Sequence, residues 1–546
     1  MRMNRLTRLR VIVAAVFVVL SVFVLTQNVA WAEDAAESTS TSAVVDAAES
    51  TSASAPAEST GPTPIYATLN ELAGKRFAYV NGSVYNLKVQ EQIDGTTEQF
   101  FPSLAECVAA VEADKADAAV QLSYCCQLAV NRRGGTVALL PEPVASVSEG
   151  FFFPKGSALK AQFNEQIAKF SADGTLAELE KKWVQADESG KTLPEQDWPA
   201  PNGTLRFVTS GVIEPFSYVG GDGKPRGYDV ELALLIAREL GYHLEVSTLP
   251  MDSIFAAVDS GKADFGGTLT ETPERASVCE FSNTVMPTTI SVIVRAEGGA
   301  SGSAAAAGLG SASFIDGLKE SFYKTFIEES RWQLIVKGLG VTILISVSAG
   351  VLGVLLGYAT VLARRNGVAW LIKLVDCYQA LMGGIPMMVV LMVLYYVVFG
   401  SVNISGIIVS IIAFTLSFGS TSGTTMWTAV SGLDVIQEET GLALGYTRQQ
   451  VFRKIIFPQA EAQFLPQVAS QFVSMVKETA IVGYIAVQDL TRASDLIRAR
   501  TLDAFFPLIS TAIIYFIFCR LLAFVLGKVV DRLDATRGPR KVEGVQ

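Results

Sequence analysis

Histidine is almost absent from this chain of 546 residues: His243 is the only one, and the six cysteines form no CxxC pair. Zinc sites and most transition-metal sites need these residue types at close spacing, so no metal site is predicted. The sequence also lacks a GxxxxGK[ST] segment, which excludes ATP binding by a P-loop. It shows no recognisable pair of nucleophile and base. We therefore predict no catalytic residue and no cofactor in this chain, and we do not expect an enzyme.

Charged residues are also scarce. They make up 18% of the chain against 50% hydrophobic residues, and the mean hydropathy is +0.36. This balance is too apolar for an entirely soluble protein and too polar for one that lies wholly in a membrane, so we expect a mixture. The net charge of −10 and the lack of a Lys/Arg block argue against binding to nucleic acid.

The first 62 residues contain two segments that are not expected to form a domain. Residues 1–32 have the pattern of a signal peptide, with a basic start, the apolar run Val11–Leu25 and an A-x-A site at Ala30–Ala32. An uncleaved anchor is the alternative, and either one places the following residues outside the cell. Residues 33–62 are rich in Ala, Ser, Thr and Glu, which predicts a disordered linker.

From residue 63 the sequence alternates between short apolar strands and amphipathic helices. Examples are a predicted strand at Arg76–Val80, a helix at Leu104–Ala113, and a second strand–helix series that starts at Leu205–Thr209. Strands that alternate with helices predict parallel sheets covered on both faces. The part from 63 to 297 is therefore expected to be an α/β domain.

Two blocks of this part resemble extracytoplasmic solute-binding proteins for polar amino acids. Leu205–Val294 resembles their first lobe, through EPFSYVGGDGKPRGYDVELALLIARELG and GKADFGGTLTETPERASVCEFSNTV. Leu69–Ala129 resembles their second lobe, through LNELAGKRFAYVNGS and ADKADAAVQLS. Residues 150–183 resemble the closing segment that returns to the first lobe. The resemblance implies a two-lobed clamshell that closes on a small ligand.

The order of these blocks differs from that of the family, in which the first lobe comes first. Here residues 63–190 hold lobe 2 and the closing segment, and residues 200–297 hold lobe 1. We therefore predict a circularly permuted clamshell, with the old termini joined near Val184–Gly203 and the new ends at the hinge between the lobes. Two decayed tandem domains are the alternative.

The remaining part is predicted to be all-α and membrane-embedded. A flexible linker (298–313) leads into a transmembrane domain (314–535) and a cytoplasmic tail (536–546). Five apolar runs are long enough to span a bilayer: Val336–Ala363, Ile372–Phe399, Ile407–Trp427, Leu465–Val487 and Ala504–Leu526. Starting outside, these spans put the basic residues between them and after them inside, as the positive-inside rule requires. Those residues are Arg364, Arg365, Lys373, Arg448, Arg453, Lys454, Lys528, Arg532, Arg537, Arg540 and Lys541.

A polar island, Asp434–Ala460, separates two of these apolar runs and contains Glu439, Gly445, Ile455 and Pro458 at the spacing E-x5-G-x9-I-x-x-P. This pattern resembles the cytoplasmic coupling loop of the membrane subunits of ABC importers. Thr440 and Gly441 replace the family's two alanines, but they keep the side chains small enough for close packing.

The similarity to polar-amino-acid permeases extends over Phe322–Leu533, through GLGVTILIS, YQALMGGIPMMVVLMVLYY and LPQVASQFVSMVKETAIVGYIAVQDL. Gly383 stands where the family has an arginine. The resemblance implies two partners: a separate ATP-binding ABC subunit at the cytoplasmic face, which hydrolyses ATP, and a second permease copy, identical or related.

Lys477 and Glu478 are adjacent charges within an apolar run, where an unpaired charge is costly. They are predicted either to line a translocation pathway or to form a structural ion pair near the inner end of the span. The small residues of GSTSGTT (419–425) predict close contact between helices.

The resemblance also implies a set of ligand-binding residues. Arg275, in T-P-E-R, would bind a carboxylate, since a guanidinium matches it with two hydrogen bonds. The other predicted binding residues are Thr268, Thr270, Phe216 and Ser83. A surface ion pair of Arg275 with Glu271 or Glu274 is the alternative.

One departure from the family weakens the prediction of an amino-acid ligand. Leu122 stands where the family has an aspartate that pairs with the ligand's α-ammonium group, and Ser123 would offer only a weaker hydrogen bond. A carboxylate without an amine is therefore an alternative ligand, and a binding site that has decayed is a further alternative.

Together these features predict a multi-pass cell-membrane protein with its binding domain outside and its C-terminus in the cytoplasm. It would be the permease subunit and the binding protein of an importer that uses ATP to take up amino acids or related small carboxylates. A ligand sensor, or an importer of another solute, is the alternative.

Overall fold

The computed structural model describes residues 62–298, 311–400, 402 and 404–533. The predicted signal peptide, the linker predicted to be disordered up to residue 61, residues 299–310 of the second predicted linker and the predicted cytoplasmic tail lie outside the described residues.

The first described part, residues 62–298, is built of strands and helices that alternate. The strands are β1 (Arg76–Val80), β2 (Thr97–Phe101), β3 (Ala118–Leu122), β4 (Val137–Leu139), β5 (Ala145–Pro154), β6 (Thr204–Thr209), β7 (Val212–Ile213), β8 (Ser217–Val219), β9 (Pro225–Arg226), β10 (His243–Thr248), β11 (Phe265–Thr270), β12 (Cys279–Phe281) and β13 (Met286–Arg295). The helices are α1 (Tyr85–Gln92), α2 (Leu104–Glu112), α3 (Ser123–Arg132), α4 (Leu159–Ala172), α5 (Thr175–Glu180), α6 (Tyr228–Glu239), α7 (Met251–Asp259) and α8 (Pro273–Val278).

The main sheet has the strand order β10-β6-β11-β5-β13-β3-β1-β2. Neighbours among β10, β6 and β11 are parallel, as are neighbours among β3, β1 and β2. The two long strands between these groups, β5 and β13, pair with each other antiparallel. Each parallel group with its covering helices forms one lobe, so the part is a two-lobed domain, as predicted, and β5 and β13 connect the lobes.

Both ends of this domain meet in lobe 2, beside the last residues of β13 and the start of β3. Pro64 forms an antiparallel bridge with Ala296, and the Glu297 amide donates to the Thr63 carbonyl at 2.7 Å. This pair follows the stretch in which Val294 lies beside Ala118, the first residue of β3. The prediction that the chain ends lie at the hinge is therefore wrong, because the hinge strands β5 and β13 pair at the other end, through Met286–Ile290.

Aromatic side chains fill the core of lobe 1. Phe151 of β5 makes edge-to-face contacts with Phe163, Phe207 and Phe265 at centroid distances of 5.7 to 6.0 Å. In the closing segment, Trp183 is fully buried and its indole nitrogen donates to a Glu231 carboxylate oxygen at 2.6 Å. The run GFFF is apolar on both faces because the sheet is covered on both faces.

The second described part is helical. Its helices are α9 (Ser311–Phe322), α10 (Trp332–Arg365), α11 (Ala369–Gly384), α12 (Met387–Met392), α13 (Gly406–Ser431), α14 (Ile436–Ala443), α15 (Arg448–Val451), α16 (Phe457–Glu478), α17 (Leu490–Thr501) and α18 (Phe506–Leu533). Helices α10 and α13 pack closely, since a Cβ atom at Gly357 would lie 2.5 Å from the Ser422 hydroxyl and 2.8 Å from the Gly423 nitrogen. The prediction of close contact at 419–425 is thus confirmed.

Among the described residues, three helices are long and apolar enough to cross a membrane: α10, α13 and α18. The predicted second span is two helices, α11 and the stretch Met387–Val398, that meet at 109°. The bend falls at Ile385–Pro386, where the proline lacks a backbone donor and restricts the residue before it. The predicted span Leu465–Val487 is not one helix, because α16 ends at Glu478 and a 3₁₀ stretch, Thr479–Ile485, follows.

Candidate functional site

A cavity lies between the two lobes, where the carboxyl ends of the parallel strands of each lobe face each other. Ligands of open α/β sheets bind at this end of the strands. The end of β11 and helix α8 form one wall, and the turn Asn81–Ser83 after β1 forms the opposite wall. All five predicted binding residues line this cavity: Arg275, Thr270, Thr268, Phe216 and Ser83.

Arg275 crosses from one lobe to the other. It lies in α8, which starts at the sequence T-P because the Thr272 hydroxyl accepts a hydrogen bond from the Arg275 amide at 3.3 Å. The guanidinium donates to the carbonyl of Thr270 in lobe 1 and to that of Gly82 in lobe 2, each at 2.8 Å. Its carbon lies 5.6 Å from the centre of the Phe255 ring.

No carboxylate among the described residues forms an ion pair with Arg275, so the alternative of a pair with Glu271 or Glu274 does not occur there. Burial lowers the pKa of Arg275, although the nearby Tyr85 and Glu149 oppose that shift. Its donors meet neutral carbonyl groups, which a ligand carboxylate could replace with stronger, charge-assisted hydrogen bonds.

Two buried carboxylates share this cavity, and the sequence interpretation did not single out either one. Glu149 on β5 is 2% exposed and accepts a hydrogen bond from the Thr270 hydroxyl. Burial raises its pKa to about 7. Its sequence signal is a single acidic residue directly before the apolar run GFFF.

Asp229 at the start of α6 is 3% exposed and accepts from the Thr268 hydroxyl at 2.7 Å. Its other oxygen, Oδ1, is buried and has no hydrogen-bond partner among the described residues. Burial raises the pKa of Asp229 to about 6. The cavity therefore holds one guanidinium and two carboxylates that are easily protonated.

Leu122 lines the cavity at the end of β3, as expected for the position after Gln121. Ser123 does not compensate for it. The Ser123 hydroxyl donates to the Thr289 carbonyl at 2.8 Å and lies 2.6 Å from the Ser291 hydroxyl, within lobe 2. Lobe 2 thus supplies no acidic side chain to the cavity wall among the residues described.

A second site of charged residues joins the two-lobed domain to helix α17. Arg500 lies against three carboxylates: Glu214 at 2.5 Å, Glu188 at 2.5 Å and Glu329 at 2.7 Å. Its guanidinium carbon also lies 4.6 Å from the centre of the Tyr218 ring. Glu214, Glu188 and Tyr218 belong to lobe 1 or its closing segment, whereas Glu329 precedes α10.

The Glu214 carboxylate also binds an arginine of lobe 2. Both terminal nitrogens of Arg132, on α3, donate to the Glu214 carboxylate at 2.9 Å. Burial opposes ionisation of Glu214, but the guanidinium groups of Arg500 and Arg132 hold its pKa below the ordinary value. One carboxylate therefore connects lobe 1, lobe 2 and the helical part.

Other contacts extend this junction. On α17, Arg492 donates to the Ser210 carbonyl of lobe 1 at 2.8 Å, and Arg498 pairs with Glu106 of lobe 2. In the loop before α13, the Val402 carbonyl accepts from Lys262 at 2.6 Å. Helix α17 thus contacts both lobes.

The polar island Asp434–Ala460 forms α14, α15 and the start of α16, at the other end of α10 from the junction. Glu439 is exposed on α14, and Gly445 has a φ of +82°, which favours glycine. Ile455 lies in a π-helical turn, and Pro458 lies in the first turn of α16. The described structure thus places these four residues along one short helical segment.

Small residues let this segment fold on itself. A Cβ atom at Gly441 would lie 2.8 Å from a methyl carbon of Val451, so the glycine allows α14 to pack on α15. The Arg365 side chain, at the end of α10, donates to the Arg448 carbonyl and lies over the Phe452 ring, 4.2 Å from its centre.

Lys477 and Glu478 lie in different surroundings at the end of α16. Glu478 lines a groove with polar side chains of the same helix, whereas Lys477 is not part of its lining. The α16 residues of the groove repeat at helical spacing: Gln467, Ser470, Gln471, Ser474, Met475 and Glu478. Neither Lys477 nor Glu478 forms an ion pair with another described residue.

Comparison with known proteins gives two kinds of similarity. The model of the bacterial extracellular solute-binding proteins, family 3, matches residues 205–481. The L-cystine transport system permease protein TcyB of Bacillus subtilis (strain 168) is 29% identical over 211 residues, which cover 38% of this chain and 90% of that protein. The arginine transport system permease protein ArtQ of the same organism is 27% identical over 203 residues, or 36% of this chain and 91% of that protein. A crystal structure of an amino acid ABC transporter with histidines is 28% identical, with a TM-score of 0.35, and covers 37% of this chain and 94% of its own.

Proposed function

Because the chain belongs to the bacterial extracellular solute-binding proteins, family 3, and also matches ABC permeases over about nine tenths of their length, we propose that it imports amino acids with energy from ATP. It would combine the binding domain and the membrane permease of one ABC transporter in a single chain. The observation that carries the proposal is the contact of both lobes with α17, through Glu214 and Glu106.

The ligand-binding site is the cavity between the lobes. Arg275 would bind the ligand's carboxylate, with Thr268, Thr270 and Ser83 as hydrogen-bonding partners and Phe216 as an apolar contact. The half-buried position of Arg275 in the cavity wall and its hydrogen bonds to both lobes support this role. A simple carboxylate is a second candidate ligand, which Leu122 favours because it cannot pair with an amine.

The permease part is proposed to form half of a pathway. The polar side of α16 would line it, including Glu478, and a second permease copy would supply the opposite wall. Glu439, Gly445, Ile455 and Pro458 would contact a separate ATP-binding subunit. Glu439 supports this because its side chain is exposed on the surface of α14.

The proposed topology puts the two-lobed domain outside and the C-terminus inside, with five crossings. Contacts at opposite ends of α10 support it. Near the start of α10, Lys337 donates to the Asp222 carbonyl at 3.4 Å, and at its end Arg365 contacts Arg448 of the polar island Asp434–Ala460. A helix of 34 residues is about 50 Å long, which exceeds a bilayer core.

The two-lobed domain is further proposed to be one circularly permuted clamshell, with lobe 2 and the closing segment at 63–190 and lobe 1 at 200–297. Its support is the pairing of Pro64 with Ala296, which brings the two ends of the domain together. The packing of Trp183 on Glu231 also supports it, since it attaches the closing segment to lobe 1.

Uptake measurements test the function. The full chain is co-purified with an ATP-binding ABC subunit of the same organism, reconstituted into proteoliposomes and given labelled L-cystine, L-arginine or L-glutamine. ATP-dependent uptake of at least one is expected, and Glu439→Lys should abolish it without changing ligand binding. The control is Glu297→Lys, which makes the same charge change outside the polar island Asp434–Ala460. Uptake that persists in Glu439→Lys, or a chain that never copurifies with an ATP-binding subunit, would contradict the proposal.

A further inference from the structure

Two carboxylates of the cavity, Glu149 and Asp229, have no role in the proposed binding of a ligand carboxylate by Arg275. Glu149 and Asp229 line the same cavity and accept hydrogen bonds from Thr270 and Thr268 near the end of β11. They are close enough for the charge of Asp229 to raise the pKa of Glu149. Each of the two carboxylates is at least nine-tenths buried.

Arg275 lies next to this pair. Its guanidinium donates to the Thr270 carbonyl, while the Thr270 hydroxyl donates to Glu149. The Arg275 guanidinium and the Glu149 carboxylate therefore both contact Thr270, one at its carbonyl and the other at its hydroxyl. An α-amino acid carries its carboxylate and its ammonium on one carbon, so a cavity that binds both needs such neighbouring, opposite charges.

We propose that Glu149, together with Asp229, binds the ammonium group of the ligand and supplies the negative charge that Leu122 cannot. The assignment rests on the proposed function and narrows its preferred ligand to α-amino acids, which should bind more tightly than carboxylates without an amine. An ammonium group has three donors, and the unpartnered Oδ1 of Asp229 is an acceptor for one of them.

The raised pKa values of Glu149 and Asp229 are also consistent with binding of an ammonium group. The groups that face Glu149 are Thr270 and Asp229 from lobe 1, Arg275 from α8, Tyr85 from α1 and Cys125 from α3. In the empty cavity two adjacent carboxylates repel, and burial raises the pKa of both. A cation between them favours the ionised forms, so binding of an amino acid should release a proton near pH 7.

The test compares pairs of ligands on the full chain in lipid nanodiscs by calorimetry. The probes are the common L-amino acids and L-cystine, and, for each one that binds, the 2-hydroxy acid with the same side chain. The hydroxy acid keeps the carboxylate and replaces the ammonium by a hydroxyl group. The wild type should prefer the amino acid, and Glu149→Gln should lower its affinity by at least about 30-fold.

The hydroxy acid should bind wild type and Glu149→Gln with affinities within about threefold, because its contacts with Arg275 are unchanged. This binding also shows that the variant is folded. Glu280→Gln, a carboxylate on β12 outside the cavity, is the matched control and should behave as wild type. If Asp229 compensates in the single variant, the double variant Glu149→Gln/Asp229→Asn must lose the preference.

A double variant that still prefers the amino acid would overturn the assignment while leaving the importer proposal intact. A wild-type chain that binds no amino acid in the panel would instead overturn the proposed amino-acid ligand itself. Calorimetry in buffers of different ionisation enthalpy adds a third readout, since uptake of protons on binding would contradict the assignment.

Discussion

Arg500 of helix α17 and Glu214 of lobe 1 form a buried ion pair at 2.5 Å, with side chains that are 5% and 6% exposed. Glu214 also accepts two hydrogen bonds from Arg132 of lobe 2. The pair therefore exists in this form only when the lobes are close enough for Arg132 to reach Glu214. The contact of the two-lobed domain with α17 and one contact between the lobes therefore depend on the same carboxylate.

Replacing Arg500 by alanine is expected to detach the clamshell from α17 while leaving ligand binding intact. Loss of one partner of a buried ion pair typically costs about 3 to 5 kcal/mol, so the docked state should become a minor one. Hydrogen exchange of residues 210–216 and 490–501 should increase, and uptake should fall at least about tenfold.

The control for Arg500 is Lys319→Ala, which removes a surface ion pair with Asp316 in which both side chains are 73% exposed. It should change neither exchange nor uptake. If Arg500→Ala leaves exchange in both segments at the wild-type level, the docking role of this pair is wrong.

Arg275→Ala is expected to abolish ligand binding, and Arg275→Lys should recover little of it, since an ammonium group cannot make two parallel hydrogen bonds to a carboxylate. The measurement is calorimetry with whichever amino acid binds the wild type. Lys160→Ala, which removes a half-exposed partner of Glu280 on the surface of lobe 1, is the control. Unchanged affinity in Arg275→Ala would refute the carboxylate-binding role.

The pH dependence of stability should reveal Glu149. Its pKa is about 7 in the folded chain and near 4.5 in the unfolded chain, so the folded state holds the proton more tightly. The free energy of unfolding contributed by this group therefore falls as pH rises from about 4.5 through 7, by on the order of 3 kcal/mol. Because glutamine cannot ionise, the free energy of unfolding of Glu149→Gln should not show this fall with rising pH.

Glu149→Gln should thus have the same melting temperature as the wild type near pH 4.5 and a higher one near pH 8, measured without ligand. Glu280→Gln should show no such gain, because the pKa of Glu280 is lowered, by hydrogen bonds from the Gly156 amide and Lys160. A gain in Glu149→Gln that is equal at both pH values would contradict a raised pKa.

If the domain is circularly permuted, as proposed, we expect that the family order can be restored. A binding domain that starts at Thr204, continues from Glu297 directly into Thr63 and ends near Gln185 should fold and bind as the present one does. The Pro64–Ala296 bridge supports this, since the two ends that must be joined are already hydrogen-bonded. Circular dichroism and ligand affinity are the measurements, and an unfolded product would favour two separate decayed domains.

Much of the fold could be predicted from local patterns. The strands at Arg76–Val80 and Leu205–Thr209 show the expected apolar run, and the small residues at 419–425 predict the close contact of α10 and α13. The second predicted span illustrates a limit. Hydropathy detects that 372–399 is apolar but not that Pro386 divides it into two helices at 109°.

The site was harder to predict for a physical reason. Arg275 and the two threonines lie in one short stretch of sequence, so a motif can identify them together. Glu149 is more than a hundred residues away from Thr270 along the chain, and only the antiparallel pairing of β5 with β11 makes them neighbours. Arg500 and Glu214 likewise come together only through the docking of two parts of the chain.

The union of the two-lobed domain and the helical part has a consequence for how the transporter would be supplied with binding protein. Residues 62–298 and the helical part from 311 belong to one chain, so every permease copy has its own clamshell. This covalent linkage gives the clamshell an effective concentration near its permease partner that does not depend on the amount of protein made. Docking can therefore be weak and brief, and in a dimer of permease copies two clamshells would compete for access to one shared pathway.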